Sequence, residues 1–159
     1  MKLLRSSAFI ILFQFLSSPM NAQETIITGT LPADFMEQDW ALLWQKNEKE
    51  YVPNTGVLES LKQSNLKDIQ IEIVLGTWCE DSEKLVPMFI HINNVLKIPV
   101  KFIGVDKEKK CPLADCSNWN IQYVPTFLIQ RNGKEIGRII EQVKQSIEAD
   151  LLDIISKGE

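Results

Sequence analysis

Ile69 to Leu75 is the segment that leaves this chain the least freedom, because five of its seven residues are Ile, Val or Leu. A run so apolar and β-branched reads as a central strand covered on both faces. After it the chain passes through Gly76-Thr77-Trp78-Cys79-Glu80-Asp81-Ser82, and then Leu85, Met88, Phe89, Ile92 and Val95 recur at helical spacing. Val100 to Val105 is a second short apolar strand, and a helix between two such strands implies parallel neighbours joined by a crossover. Downstream, Asn132-Gly133 separates Thr126–Gln130 from Glu135–Ile140, a strong hairpin signal. Ser146 can cap a last helix with the buried stripe Ile147, Leu151, Ile154 and Ile155. The expected order is helix, strand, helix, strand, helix, hairpin, helix. That is an α/β fold with a mixed central sheet and helices on both faces.

The 159 residues are 45% hydrophobic and 24% charged, enough for one domain with its own core and too apolar for a disordered tail. Net charge is −4 with no basic block, so nucleic acid is not an expected partner. Lys2 and Arg5 precede an apolar run from Ala8 to Leu16, followed by Ser17, Ser18, Pro19 and Ala22. This is the order of a secretory signal peptide, too short to span a bilayer as a helix. Residues 1–22 are therefore expected to be removed, giving an exported protein, periplasmic or extracellular, with no membrane attachment afterwards. Residues 23–53 read as an N-terminal helical extension, with Asp34 and Glu37 as a capping pair and Phe35, Met36, Trp40, Leu43 and Trp44 as its apolar face. Pro53-Asn54-Thr55-Gly56 breaks the pattern, and Val57, Leu58 and Leu61 suggest a second helix at the start of the main domain, residues 54–159.

Three cysteines remain after the leader: Cys79, Cys111 and Cys116. An odd number in an exported chain leaves one thiol unpaired within it. Cys79 stands at the strand-to-helix turn, where reaction sites of open α/β sheets collect and where unpaired N–H groups and the helix dipole favour a thiolate. Glu80 and Asp81 oppose that effect with two negative charges beside the sulfur.

Trp78-Cys79-x-x-Ser82 with Pro87 eight residues after the cysteine, then Val124-Pro125-Thr126, Asn132-Gly133 and Gly137, resembles the thioredoxin superfamily from about Asn54 to Glu159. The Gly-Thr-Trp-Cys-x-Asp-Ser form is similar to an exported bacterial branch of it. The resemblance implies a thioredoxin fold and thiol–disulfide exchange, with Cys79 as the attacking thiol and Trp78 in the apolar apron around it. It implies that Val124 and Pro125 form a cis-proline loop opposite the sulfur, where the Val124 backbone binds an extended substrate segment. The implied partners are disulfide- or thiol-bearing proteins, with a small-molecule thiol as a further reactant. No cofactor is implied.

Where dithiol members carry a second cysteine, this chain has Ser82. A hydroxyl is a feeble nucleophile toward sulfur and cannot release a mixed disulfide, although it can donate a hydrogen bond to Cys79. Ile73 and Phe102 stand where thioredoxins bury an Asp and often a Lys. The expected chemistry is that of a monothiol isomerase or accessory reductase; the alternative is a non-catalytic binding module for extended or unfolded polypeptide. Cys111 and Cys116 can resolve a mixed disulfide at Cys79 or pair with each other and staple their loop. Five residues of regular helix would hold their Cα atoms about 8.6 Å apart, too far to bond, but Pro112 permits a non-helical start, and the staple is favoured. No metal is expected, since His91 lies on the helix flank and the spacing of the cysteines suits no tetrahedral site. Trp40, Trp44, Trp119 and Tyr123 read as packing residues, Tyr123 at the border of the groove.

Overall fold

Parallel pairing of the two apolar strands organises the sheet. The computed structural model describes residues 25–111, 116 and 118–158; the leader expected over residues 1–22 lies outside the described residues. β1 (Gly29–Leu31), β2 (Ile69–Leu75), β3 (Val100–Gly104), β4 (Thr126–Arg131) and β5 (Lys134–Ile140) form one sheet in the order β1-β3-β2-β4-β5. β2 and β3 are parallel, with Ile73 opposite Phe102, and the other three pairings are antiparallel. The central position of β2 follows from its composition, since a strand flanked on both sides has no polar edge to present. Asn132 and Gly133 take φ of 54° and 73°, the positive values that a two-residue hairpin turn needs at both central positions.

α1 (Leu42–Glu50), α2 (Thr55–Gln63), α3 (Glu80–Leu96) and α4 (Ile147–Lys157) complete the α/β fold. Their apolar faces meet Ile69, Ile71, Ile73 and Leu75 of β2 in the main core, which includes Trp44, Leu61, Phe89, Ile92, Leu151 and Ile155. α4 lies so close to β5 that a Cβ at Gly137 would stand 2.7 Å from Ile154 Cγ2. On the opposite side of β2, Gln70 and Glu72 are not buried, and Glu72 accepts from Gln130 Nε2 at 3.0 Å. Cover on that side comes at the Leu75 end, where Trp119 and Ile121 pack with Val74, Val105, Val124 and Leu128. These two residues belong to the connection between β3 and β4, where a helix is expected from sequence; residues 112–115 and 117 of that connection lie outside the described residues, and Cys116 is in a 3-10 turn.

The segment before α1 adds a strand to the expected helix. β1 pairs with β3 at the sheet edge, and the chain then makes two single 3-10 turns, Phe35–Glu37 and Asp39–Ala41. The expected capping pair is not made: Asp34 gives no side-chain cap bond, and extended Gln38 (ψ 151°) interrupts the first turn. Phe35 sets this local path, because its ring packs on Phe102 at 5.1 Å and on Trp44 at 5.8 Å. The interruption changes the register of the apolar face, so Leu43 is 57% exposed while Phe35, Met36 and Trp44 are buried.

α3 carries Pro87 in its interior. Proline has no N–H to offer the carbonyl four residues earlier, which is that of Glu83. Asn47 Nδ2 of α1 donates to this carbonyl at 3.0 Å, so a break in one helix is satisfied by its neighbour.

Candidate active site

The end of β2 and the start of α3 meet at Cys79. Its N–H donates to Gly76 O at 3.0 Å, closing the turn, and its carbonyl accepts the Glu83 N–H at 3.0 Å, opening the helix. Extended backbone at Cys79 (φ −97°, ψ 122°) makes it the residue capping α3. Its thiol is free and half-buried, and donates to Val124 O at 3.2 Å.

The partner of that thiol is on a firmly held loop. Val124 is 2% exposed, and the Val124–Pro125 peptide bond is cis. Pro125 O accepts from Glu141 N–H at 2.8 Å, and Thr126 Oγ1 donates to Tyr123 O at 2.7 Å. Tyr123 itself is half exposed.

Trp78 folds back over Gly76 and donates Nε1–H to Val105 O at 3.0 Å. A Cβ on Gly76 would lie 2.7 Å from the indole Cε2, so the close approach requires glycine. Trp78 and Cys79 both pack against the cluster formed by Val74, Val105, Val124 and Leu128 with Trp119 and Ile121. The structure thus brings Trp78, Cys79 and Val124 together, with Pro125 next in the chain.

Ser82 lies beneath the turn, fully buried. Its Oγ accepts from Gly76 N–H at 3.2 Å, a strut within the turn. Ile73 and Phe102 sit side by side across β2 and β3 and are both buried, so the floor below the turn is apolar there.

Thr77 is a contributor that the sequence reading missed. Its Oγ1 accepts from Ile27 N–H at 3.1 Å and donates to Thr25 O. The same stretch passes Gly104 so closely that a Cβ there would collide with the Ile27 carbonyl. A backbone strap from Thr25 to Thr28 is thereby held against the reactive turn, and no local motif announces it.

Cys111 and Cys116 are bonded to each other, with Cα atoms 5.9 Å apart. Trp119 connects them to the Cys79 wall: its N–H donates to Cys116 O at 3.2 Å, and its own carbonyl accepts from Arg138 at 3.1 Å. His91 stands edge-on to Tyr51 at 6.0 Å. Among the described residues no cluster of His, Cys, Asp or Glu is arranged to hold a metal ion, and no helix is long and apolar enough to cross a membrane.

Two coupled titrating groups join the first turn of α4 to the α1–α2 connection. Burial pushes the Glu148 carboxyl upward, but bonds from Tyr51 OH (2.5 Å) and Asn54 N–H (2.8 Å), with further bonds from its own N–H and Ser146, outweigh it and hold the group below its ordinary value. Tyr51 is raised, first by burial and then by its bond to Glu148 and the charge there.

Comparison with known proteins follows the same lines. The thioredoxin family model matches residues 59–155. "Putative thioredoxin-5" of Dictyostelium discoideum is 32% identical over 108 residues, covering 65% of this chain and 89% of that protein. Thioredoxin H9 of Arabidopsis thaliana is 28% identical over 80 residues, 50% of this chain and 55% of the relative. The TPR repeat-containing thioredoxin TDX of the same plant is 29% identical over 99 residues, 61% of this chain but only 25% of the larger protein. A Pseudomonas aeruginosa crystal structure of unknown function superposes with a TM-score of 0.57 at 15% identity, covering 76% of this chain and 83% of that one; at that identity the likeness concerns the fold alone.

Proposed function

This chain belongs to the thioredoxin family, and from that premise we propose that it is an exported monothiol protein exchanging disulfides through Cys79. Thiol–disulfide redox chemistry is the general function that the family supports. The observation that carries the finer reading is a free, half-buried sulfur at the start of a 17-residue helix, 3.2 Å from the Val124 carbonyl. Trp78 with Ile121 offers an apolar border to a polypeptide.

In the proposed cycle the Cys79 thiolate attacks one sulfur of a substrate disulfide. That bond breaks, the leaving sulfur takes a proton, and substrate and Cys79 are joined by a mixed disulfide. A different thiol of the same substrate then attacks its sulfur, returning Cys79 and a rearranged disulfide with no net redox change. Where a small external thiol attacks instead, a second equivalent completes net reduction of the substrate. Ser82 contributes no electron pair to either route; its hydroxyl supports the turn through Gly76. Export rests on the leader-like order of residues 1–22.

A second reading, a binding module for extended polypeptide, is favoured by the apolar pair Ile73 and Phe102 below the turn. Refolding of scrambled ribonuclease and dithiothreitol-driven reduction of insulin separate the two. Exchange predicts that Cys79→Ala falls to the uncatalysed rate in both, whereas Ser82→Ala still forms the mixed disulfide. Equal rates for the wild type and Cys79→Ala would assign the protein to binding without turnover.

A further inference from the structure

We propose that Thr77 is a positioning residue for exchange at Cys79, and that the strap from Thr25 to Thr28 is a working part of the same site; this rests on Cys79 being the exchanging thiol. The turn from Gly76 to Cys79 is held at every residue. Gly76 N–H donates to Ser82 Oγ at 3.2 Å, Trp78 Nε1–H to Val105 O at 3.0 Å, and the Cys79 thiol to Val124 O at 3.2 Å. These three holds lie inside the segment that the thioredoxin model matches. Thr77 is held from outside it. Its one hydroxyl accepts from Ile27 N–H at 3.1 Å and donates to Thr25 O, which fixes both the place and the direction of the side chain. The strap is anchored in turn: it leads into β1, and Ile27 O lies against Gly104 where a Cβ would stand. Gly104 pairs with Leu75, the last residue of β2 before the turn. The bond from Cys79 N–H to Gly76 O at 3.0 Å closes the turn around Thr77, so a displacement of Thr77 carries Cys79 with it.

In exchange the Cys79 thiolate bonds to one sulfur of the substrate, the substrate disulfide breaks, and its other sulfur leaves with the electron pair and takes a proton. A polypeptide seated against the Val124 loop presents its disulfide from a fixed direction. An attacking sulfur about an ångström out of place then loses rate steeply, by as much as about 100-fold. A small free disulfide turns to meet the sulfur wherever it stands. The strap is therefore expected to matter for polypeptide disulfides and hardly at all for small ones. A brace that only stabilised the fold would not distinguish the two.

Full-length wild type, Thr77→Val, Thr77→Ser, Gly104→Ala and the Thr77→Val/Gly104→Ala double variant are each mixed with scrambled ribonuclease or with hydroxyethyl disulfide, without added reductant. Acid quenching and peptide mass spectrometry give the rate at which Cys79 enters the mixed disulfide. The ratio of the ribonuclease rate to the small-disulfide rate is expected to fall about tenfold in Thr77→Val, which keeps the shape of the side chain and neither bond. Thr77→Ser keeps the hydroxyl and holds the ratio within about twofold of wild type. Gly104→Ala pushes the strap away without altering Thr77 and lowers the ratio too. The double variant falls no lower than the worse single, because both substitutions release the same strap. An unchanged ratio in Thr77→Val, whatever its urea midpoint, overturns the proposal, as does a double variant whose losses multiply. Either result leaves exchange by the wild type in place, whereas a wild type that forms no adduct at Cys79 with ribonuclease refutes both readings.

Discussion

Gly76 is glycine because an indole occupies the place of its side chain. Placing a methyl group 2.7 Å from Trp78 Cε2 must displace the ring and break its bond to Val105 O. Gly76→Ala is therefore expected to cost about 1–3 kcal/mol, read as a lower urea midpoint. In a Trp78→Phe background the cost shrinks, since the bond is already gone; an equal cost in both backgrounds would separate Gly76 from the indole. This explains why some of the site was legible in the sequence. Trp78, Cys79, Val124 and Pro125 occur in short motifs whose order is itself informative. Thr77 was not legible, because its partner Ile27 is 50 residues away and a threonine in a turn has many uses. The strut made by Ser82 was hidden differently: the sequence offers a hydroxyl near a sulfur, and only the fold shows that its oxygen accepts from Gly76 N–H.

Among the elements, α3 illustrates what local pattern conveys and what it omits. Its apolar spacing marked the helix, and Pro87 marked a break in the hydrogen-bond ladder, but nothing local names Asn47 as the group that satisfies Glu83 O. Asn47→Ala should leave that carbonyl unpaired at a helix–helix contact and cost about 1–2 kcal/mol. Pro87→Ala restores an N–H to the ladder, so Asn47→Ala in that background should cost markedly less. A double-mutant cycle from urea unfolding measures the difference, and strict additivity would refute the pairing. The hairpin was readable because Asn132 and Gly133 are suited to positive φ. The path from Asp34 to Leu42 was not, since Phe35 follows its aromatic contacts rather than helical spacing.

At the scale of the molecule, Glu148 and Tyr51 fasten α4 to the connection between α1 and α2. The Glu148 carboxyl is held low in the folded state, so its stabilisation is complete above the unfolded value of about 4.3 and is lost as pH falls through the lower folded value. Tyr51 is held high, so its stabilisation is complete below about pH 10 and is lost as pH rises beyond it. Urea midpoints across pH should show a plateau with both shoulders. Tyr51→Phe should remove the alkaline shoulder, soften the acid one, and cost about 1.5–3 kcal/mol on the plateau. An unchanged alkaline shoulder would detach it from Tyr51.

The strap from Thr25 to Thr28 has a practical corollary. Because Thr77 grips it beside the reactive turn, whatever is genetically joined ahead of Thr25 departs from the same rim as the sulfur. Gly158, packed against Ile136 of β5, offers an exit elsewhere. Immobilisation through the carboxyl end is thus the arrangement that keeps bulky clients free to approach.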